Sequence, residues 1–320
     1  MNNPRSVLII AGPTASGKSA LAMDVAREFT REITGTIINA DSMQVYRELR
    51  IITARPSAAD EAEIPHRLYG MLSAADVCSA GHWLRLAVAE IEMAHAAGSL
   101  PIVVGGTGLY LKALLEGIVD IPDIPADIRN DVRALHEQLG GEQFREELTK
   151  LDPASAEKIP ASDPQRLIRA YEVAQATGRS LSDWQKQTPK APLAEWDQAT
   201  ILVSPPRDTL YEAIDQRFER MLEAGVLEEV KVLAALGLPP DRPAMKALGI
   251  PDLIAHFEGK IPLNQAVSKA QQASRNYAKR QLTWFRNQLE QNYTHSAQYS
   301  ESHRCKIFSF ICNFLLTPSS

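Results

Sequence analysis

VLIIAGPTASGKSALAMDVAREF, Val7 to Phe29, decides the fold. Val7 to Ala11 is a short apolar run of strand-forming residues, and Lys18 to Phe29 repeats apolar positions at helical spacing. Between them Gly12 to Ser19 reads GPTASGKS, a match to GxxxxGK[ST] placed after a strand and before a helix, the context in which that pattern has a mechanism. Its glycines let the backbone wrap an anion, the loop N–H groups and the helix N-terminus face that anion, and Lys18 adds a point charge. Gly12, Pro13, Thr14, Ala15, Ser16, Gly17, Lys18 and Ser19 are therefore the candidate phosphate-binding residues, with the Ser19 hydroxyl a candidate ligand for Mg2+. The motif implies a bound diphosphate or triphosphate and does not say which molecule carries it.

Outward from this stretch, Thr36 to Ala40, Pro101 to Gly105 and Thr200 to Ser204 are further apolar runs rich in Val and Ile. They read as buried strands of a parallel sheet. With a helix over Trp83 to Ala97, the first third is a β-α-β-α-β series. From Pro122 to Pro192 the pattern changes to polar helices at Pro125 to Leu139, Glu142 to Lys150 and Pro164 to Thr177, with no strand-like run. The expected fold is α/β, a P-loop NTPase-like parallel sheet flanked by helices, with a helical insertion. Its expected divisions are a core over 1–120, an insertion over 121–198, a second part of the core over 199–300 and a tail over 301–320.

Ligands in open α/β sheets bind at the carboxyl ends of the strands, and two more segments fall there. DSMQVY, Asp41 to Tyr46, follows the second strand. Asp41 can organise Mg2+ through water, act as a general base, or cap a turn, and the residues alone leave these readings open. GGTGLY, Gly105 to Tyr110, ends the third strand, with glycines that permit close backbone approach and one hydroxyl on Thr107. Arg207 follows the fourth strand and Arg217 lies ten residues later on a helix over Asp208 to Ala224; cations there can clamp a leaving phosphate.

The formal charge of -5 over 320 residues and a pI near 5.9 give no global nucleic-acid signature, so any such surface must be a local patch. One exists. Gly259 to Leu289 carries Lys260, Lys269, Arg275, Lys279, Arg280 and Arg286 and no acidic residue. On a helix over about Gln265 to Leu289, Arg275, Lys279 and Arg286 form one stripe, with Ala266, Ala270, Ala273, Tyr277 and Trp284 roughly opposite. Such a face can follow a phosphate backbone or can pair with acids of its own protein.

Cys78, Cys305 and Cys312 form no CxxC pair and the seven histidines are scattered, which argues against a zinc module or a disulfide framework and for a reducing cytoplasm. The apolar run Ile307 to Leu316 is too short to span a membrane and reads as a packing or frayed segment. With no coiled coil in view, a monomer is expected.

Taken together, GPTASGKS, DSMQVYREL, TARP at Thr53 to Pro56, PHRLYG at Pro65 to Gly70, GGTGLYLKALLEG from Gly105, QRLIRAYEV from Gln165 and AKRQLTWFRN from Ala278 resemble the tRNA dimethylallyltransferases. The resemblance runs in the family's order from about Val7 to Asn287. It implies transfer of a dimethylallyl group from dimethylallyl diphosphate, with Mg2+, to the adenosine just 3′ of the anticodon in tRNA. It further implies that Gly12 to Ser19 bind the diphosphate and that Asp41 is the base. Asp41, Ser42, Met43, Gln44, Gln165, Arg166, Leu167, Ile168 and Arg169 would contact the tRNA anticodon stem-loop, and Thr107 would sit at the reaction channel. The chain departs from the family pattern GLDIGTAKP at Glu48 to Pro56, which puts the local turn in question, and also at Leu248-Gly249-Ile250 and Ser274. The rival readings are a small-molecule or nucleotide kinase, which leaves the basic helix without a role, and a non-catalytic tRNA-binding protein, which leaves Asp41 and Thr107 without one.

Overall fold

The computed structural model describes residues 5–28 and 34–316, and the chain forms two units, Met1–Leu115 with Pro192–Ser320 and Glu116–Ala191. The described strands are β1 (Ser6–Ala11), β2 (Gly35–Asn39), β3 (His66–Arg67), β4 (Leu100–Gly105), β5 (Asp197–Val203) and β6 (Tyr293–His295). They form one sheet in the order β3-β2-β4-β1-β5-β6 with all pairs parallel. The helices are α1 (Lys18–Glu28), α2 (Ala58–Glu63), α3 (Ala80–Ala96), α4 (Gly108–Glu116), α5 (Ala126–Leu151), α6 (Pro153–Lys158), α7 (Pro164–Thr177), α8 (Leu181–Trp184), α9 (Arg207–Glu223), α10 (Val226–Ala235), α11 (Ile250–Phe257), α12 (Leu263–Gln288) and α13 (Arg304–Leu316).

β1 lies between β4 and β5, and every one of its residues is buried. Side chains alternate across a strand, so one run feeds two cores. Leu8 and Ile10 pack with Leu21 and Val25 of α1, while Val7 and Ile9 pack with Trp83 and Ile91 of α3 and Leu111 of α4. Each fully buried Leu or Ile contributes about 1.5–3 kcal/mol, which is why a central parallel strand is apolar throughout. A third cluster joins Phe218 and Met221 of α9, Val230 of α10, Leu253 of α11 and Ala266 and Ala270 of α12 to Val45, Tyr46 and Leu49 after β2.

Several elements differ from the expected series. The first third also contains α2 and β3, and β3 pairs only His66 and Arg67 with Ile37 and Ile38. β6 adds three residues to the outer edge of β5. Runs of two or three residues are too short to show a hydrophobic period. β5 begins at Asp197, before the apolar run, because Asp197 and Gln198 pair with Ser6 and Val7. The tail packs: Ile307, Phe308 and Ile311 of α13 are buried in the same cluster as Leu8 and Ile10. Phe29, the expected last residue of α1, lies outside the described residues.

The second unit has α5 to α8 and no strand among its described residues. Gly140, at φ 70° and ψ 171°, interrupts α5 between the two helical stretches read from the sequence. Its core is Val132, Phe144, Leu148, Leu167 and Ala170. Among the described residues no helix is long and apolar enough to cross a membrane.

Candidate active site

The strand register brings three loops together. Ala11 of β1 pairs with Gly105 of β4, and Asn39 of β2 pairs with Val104, so the chain leaves all three strands at nearly one level. The exits are stitched by Gly12 N–H donating to Gly105 O (3.4 Å), Ala40 N–H to Val104 O (2.8 Å) and Thr107 N–H to Ala40 O (3.2 Å). Ser42 N–H then donates to Thr107 Oγ1 at 2.9 Å. Asp41 is held by its own turn, since its N–H donates to Asn39 Oδ1 (2.8 Å) and its Oδ1 accepts from Met43 N–H (2.9 Å). One carboxylate oxygen thus caps a turn, and Oδ2 has no hydrogen-bond partner among the described residues.

The loop Gly12 to Ser19 bends through Ala15 at φ 63° and Gly17 at φ 90°. A side chain at Gly17 would be strained by that φ and would press on Tyr299. Lys18 Nζ donates to the loop's own Pro13 O at 3.3 Å. From α9, Arg217 Nη2 donates to Thr14 Oγ1 at 2.5 Å. Burial brings Lys18 down from 10.5 to about 8, against the raising effect of Asp41 and with a further lowering by Arg217. Burial also brings Arg217 down to about 10, partly offset by Asp41. Ser16 Oγ is buried without a partner. Two desolvated cations and an unpartnered hydroxyl around this loop make a site suited to an anion.

A cavity of about 310 Å³ adjoins the loop, lined by Thr14, Asp41, Arg217 and Tyr277 among its polar residues and by Ile214, Phe218 and Met221 among its apolar ones. A second cavity, of about 460 Å³, is lined by Ser19, Arg55, Tyr69 and Tyr299 among others. Along the outer face of α12 runs a groove of about 560 Å³ formed by Asn276, Lys279, Arg280, Thr283, Trp284, Asn287 and Gln288. Cationic and aromatic side chains in one groove suit single-stranded nucleic acid, whose backbone is anionic and whose bases stack.

The structure therefore gathers Gly12 to Ser19, Asp41, Thr107 and Arg217, with Ser42 and Met43 on the rim of the first cavity. Gln44 is engaged elsewhere, its side-chain amide donating to Thr53 O (2.8 Å) and Ala54 O (3.2 Å). Arg207 is exposed and lies over the Tyr211 ring, outside this group. Gln165, Arg166, Leu167, Ile168 and Arg169 are in the second unit; Gln165 and Arg166 are exposed on α7. Leu167 is a correction, because it is fully buried in that unit's core and presents no surface for a contact.

The expected stripe on α12 also needs correcting. The buried line is Ala266, Ala270, Ser274, Ala278, Gln281 and Phe285, so Ala273, Tyr277 and Trp284 flank it rather than form it. Arg275 does not belong to an open basic face, since its Nη1 reaches both carboxylate oxygens of Asp215 at 2.5 and 2.7 Å. Lys279 and Arg286 are exposed. The departure at Glu48 to Pro56 is accommodated from α10, where Glu229 accepts the N–H groups of Arg50 (2.8 Å), Ile51 (2.7 Å) and Ile52 (2.8 Å).

The sequence pattern gave no notice of three residues at the loop. Gln281 links Thr14 to Gly106; Gln298 Nε2 donates to Ala15 O (2.9 Å); and Tyr299 N–H donates to Ser16 O (3.4 Å) while its hydroxyl donates to Asp24 Oδ2 (2.8 Å). Gln281 had no signal, because hydropathy pointed to a neighbouring face of α12 and its partners lie 267 and 175 residues away. Gln298 and Tyr299 had none, because nothing local ties the segment after β6 to the start of the chain.

Comparison with known proteins places the chain in a family. The model of the IPP transferase family matches residues 44–288. The tRNA dimethylallyltransferase of Rhodospirillum centenum is 55% identical over 285 residues, 89% of this chain and 90% of its own. That of Rhodospirillum rubrum is 48% identical over 318 residues, 98% of this chain and 96% of its own. The crystal structure of full-length tRNA isopentenylpyrophosphate transferase from Bacillus halodurans superimposes with a TM-score of 0.68 at 30% identity, covering 97% of each chain. A eukaryotic dimethylallyltransferase acting on tRNA gives a TM-score of 0.78 at 26% identity, over 97% of this chain and 80% of its own. With a family model matched over residues 44–288 and relatives about half identical along most of its length, the chain belongs to the IPP transferase family.

Proposed function

We infer that this protein transfers the dimethylallyl group of dimethylallyl diphosphate to N6 of the adenosine 3′ of the anticodon in tRNA, releasing diphosphate. The observation that carries the reading is the single cavity onto which Thr14 of the phosphate loop, Arg217 and Asp41 all open. Adenine N6 is a weak nucleophile, because its lone pair is delocalised into the ring. The reaction therefore depends on breaking the C1–O bond of the donor, and Lys18 and Arg217 stabilise the charge that develops on the departing diphosphate. As the N6–C1 bond forms, the N6 proton passes to Asp41, whose turn already fixes its carboxylate. An adenosine in an anticodon loop is unpaired, so turning it into the cavity costs less than extracting it from a duplex. Lys279, Arg280, Trp284 and Arg286 on α12, with Ser42 and Met43, are the proposed tRNA-facing residues of the first unit, and Gln165, Arg166 and Arg169 those of the second.

Mg2+ fits the donor set. Ser19, exposed at the first turn of α1, would hold the ion together with substrate phosphate oxygens. When bound there it neutralises diphosphate charge. We take the chain to act as a monomer in the cytoplasm; Cys78, Cys305 and Cys312 are free thiols, as a reducing compartment allows.

The test is product analysis with two substrates offered in parallel. Diphosphate release from dimethylallyl diphosphate that requires an anticodon stem-loop supports the reading. ADP formation from ATP with a phosphorylated product, and no RNA-dependent diphosphate release, would replace it with a kinase.

A further inference from the structure

Gln281 is 6% exposed, and both ends of its amide are engaged. Its Oε1 accepts from Thr14 N–H at 2.9 Å, and its Nε2 donates to Gly106 O at 2.8 Å. One side chain from α12 thereby joins the phosphate loop after β1 to the glycine turn after β4. Thr14 is fixed a second time, through its hydroxyl, by Arg217. One turn earlier on α12, Tyr277 lines the cavity that Thr14 and Asp41 also line. The resulting chain of contacts runs from Thr14 through Gln281 to Gly106, the neighbour of Thr107, and from Thr107 to Ser42, the neighbour of Asp41. The same helix also lines the groove with Lys279, Arg280 and Trp284.

An apolar side chain of similar size would fill the space of Gln281 equally well, so packing alone gives no reason for an amide there. Gly106 fits this arrangement, because a Cβ at that position would run into Gln281 Nε2. We propose that Gln281 is a positioning residue that holds the phosphate loop in its diphosphate-binding shape and in register with Thr107. It acts through Thr14 and Gly106 and touches neither substrate. The donor's identity rests on the prenyl-transfer reading, whereas the brace itself is a claim about binding of a diphosphate.

The experiment titrates the full chain with inorganic pyrophosphate and Mg2+ and, separately, with an unmodified anticodon stem-loop. Gln281→Met is expected to weaken pyrophosphate binding about tenfold, the effect of losing roughly one well-made hydrogen bond, while RNA affinity stays within about twofold. It should raise the donor KM by more than it lowers kcat. Gly106→Ala strikes the same bond from its other partner and should behave alike, which decides the matter if Gln281→Met does not fold. Lys279→Ala, on the outer face, should show the reverse pattern. Unchanged pyrophosphate affinity in both brace variants, or equal loss of both ligands, would overturn the proposal. Because pyrophosphate binding is read without prenyl transfer, a wild-type chain that binds pyrophosphate yet makes no prenylated RNA would refute the functional reading and leave the brace standing.

Discussion

Donor affinity should fall as the solution is made alkaline, because the Lys18 ammonium at the phosphate loop is desolvated. Burial lowers its pKa from 10.5 to about 8, with Asp41 raising it and Arg217 lowering it further. A bound diphosphate favours the charged form, so the pKa in the complex lies above that of the free protein. Well below pH 8 the free protein already carries the proton and binding takes up almost none. Above that pH each binding event must first protonate Lys18, and affinity drops by up to about tenfold per pH unit until the pKa of the complex is reached. From about pH 7 to about pH 9 the loss should be about tenfold, and the proton taken up per binding event should rise from about one-tenth to about nine-tenths. The assay is calorimetric titration with dimethylallyl diphosphate in the absence of RNA, in two buffers of different ionisation enthalpy. The terminal phosphate of an alkyl diphosphate loses its last proton with a pKa of about 6, and completing that ionisation would strengthen binding as pH rises, so a fall in affinity belongs to the protein. Lys18→Arg keeps its charge throughout and should bind without that slope, even if more weakly. Flat affinity and no proton uptake in the natural chain, or the same slope in Lys18→Arg, would refute the reasoning.

Asp41→Asn retains an oxygen for the Met43 N–H but cannot accept the N6 proton. Turnover should fall about 10²–10⁴-fold with RNA affinity within about twofold, measured by single-turnover kinetics and direct binding; equal losses would remove Asp41 as the base. Phe144 is fully buried in the core of the helical unit, so Phe144→Ala should cost about 3–5 kcal/mol, and an unchanged denaturation midpoint for that unit would contradict the packing described. Tyr299→Phe removes the hydroxyl that donates to Asp24 at 2.8 Å and should cost about 1 kcal/mol in chemical denaturation, whereas no loss would mean that this contact does not tie the C-terminal segment to α1.

The parts of the fold legible in the sequence were those with a period or a motif. β1 and the loop after it announced themselves because an all-apolar run met a glycine-rich anion loop. The two-residue β3 and three-residue β6 did not, because their place depends on pairing with Ile37–Ile38 and with the edge of β5. On α12, hydropathy pointed to Ala273, Tyr277 and Trp284 as the packed face, while the fold buries Ser274 and Gln281. Gln281 is satisfied there by partners 267 and 175 residues away, which no local pattern encodes. Separation in sequence, 60 residues in one case and 178 in the other, likewise hid the pairing of Arg275 with Asp215 and the use of Glu229 as acceptor for Ile51 and its neighbours Arg50 and Ile52. Asp41 was legible as a residue at a strand end, but its double part as turn cap and open carboxylate required the geometry.

The most direct test of the central claim is to incubate the purified chain with Mg2+, dimethylallyl diphosphate and an unmodified anticodon stem-loop containing adjacent adenosines, then to weigh the digested nucleosides. One adenosine, on the 3′ side of the anticodon, heavier by a single C5H8 unit is the expected result. Unmodified adenosines under conditions in which both substrates bind would contradict it.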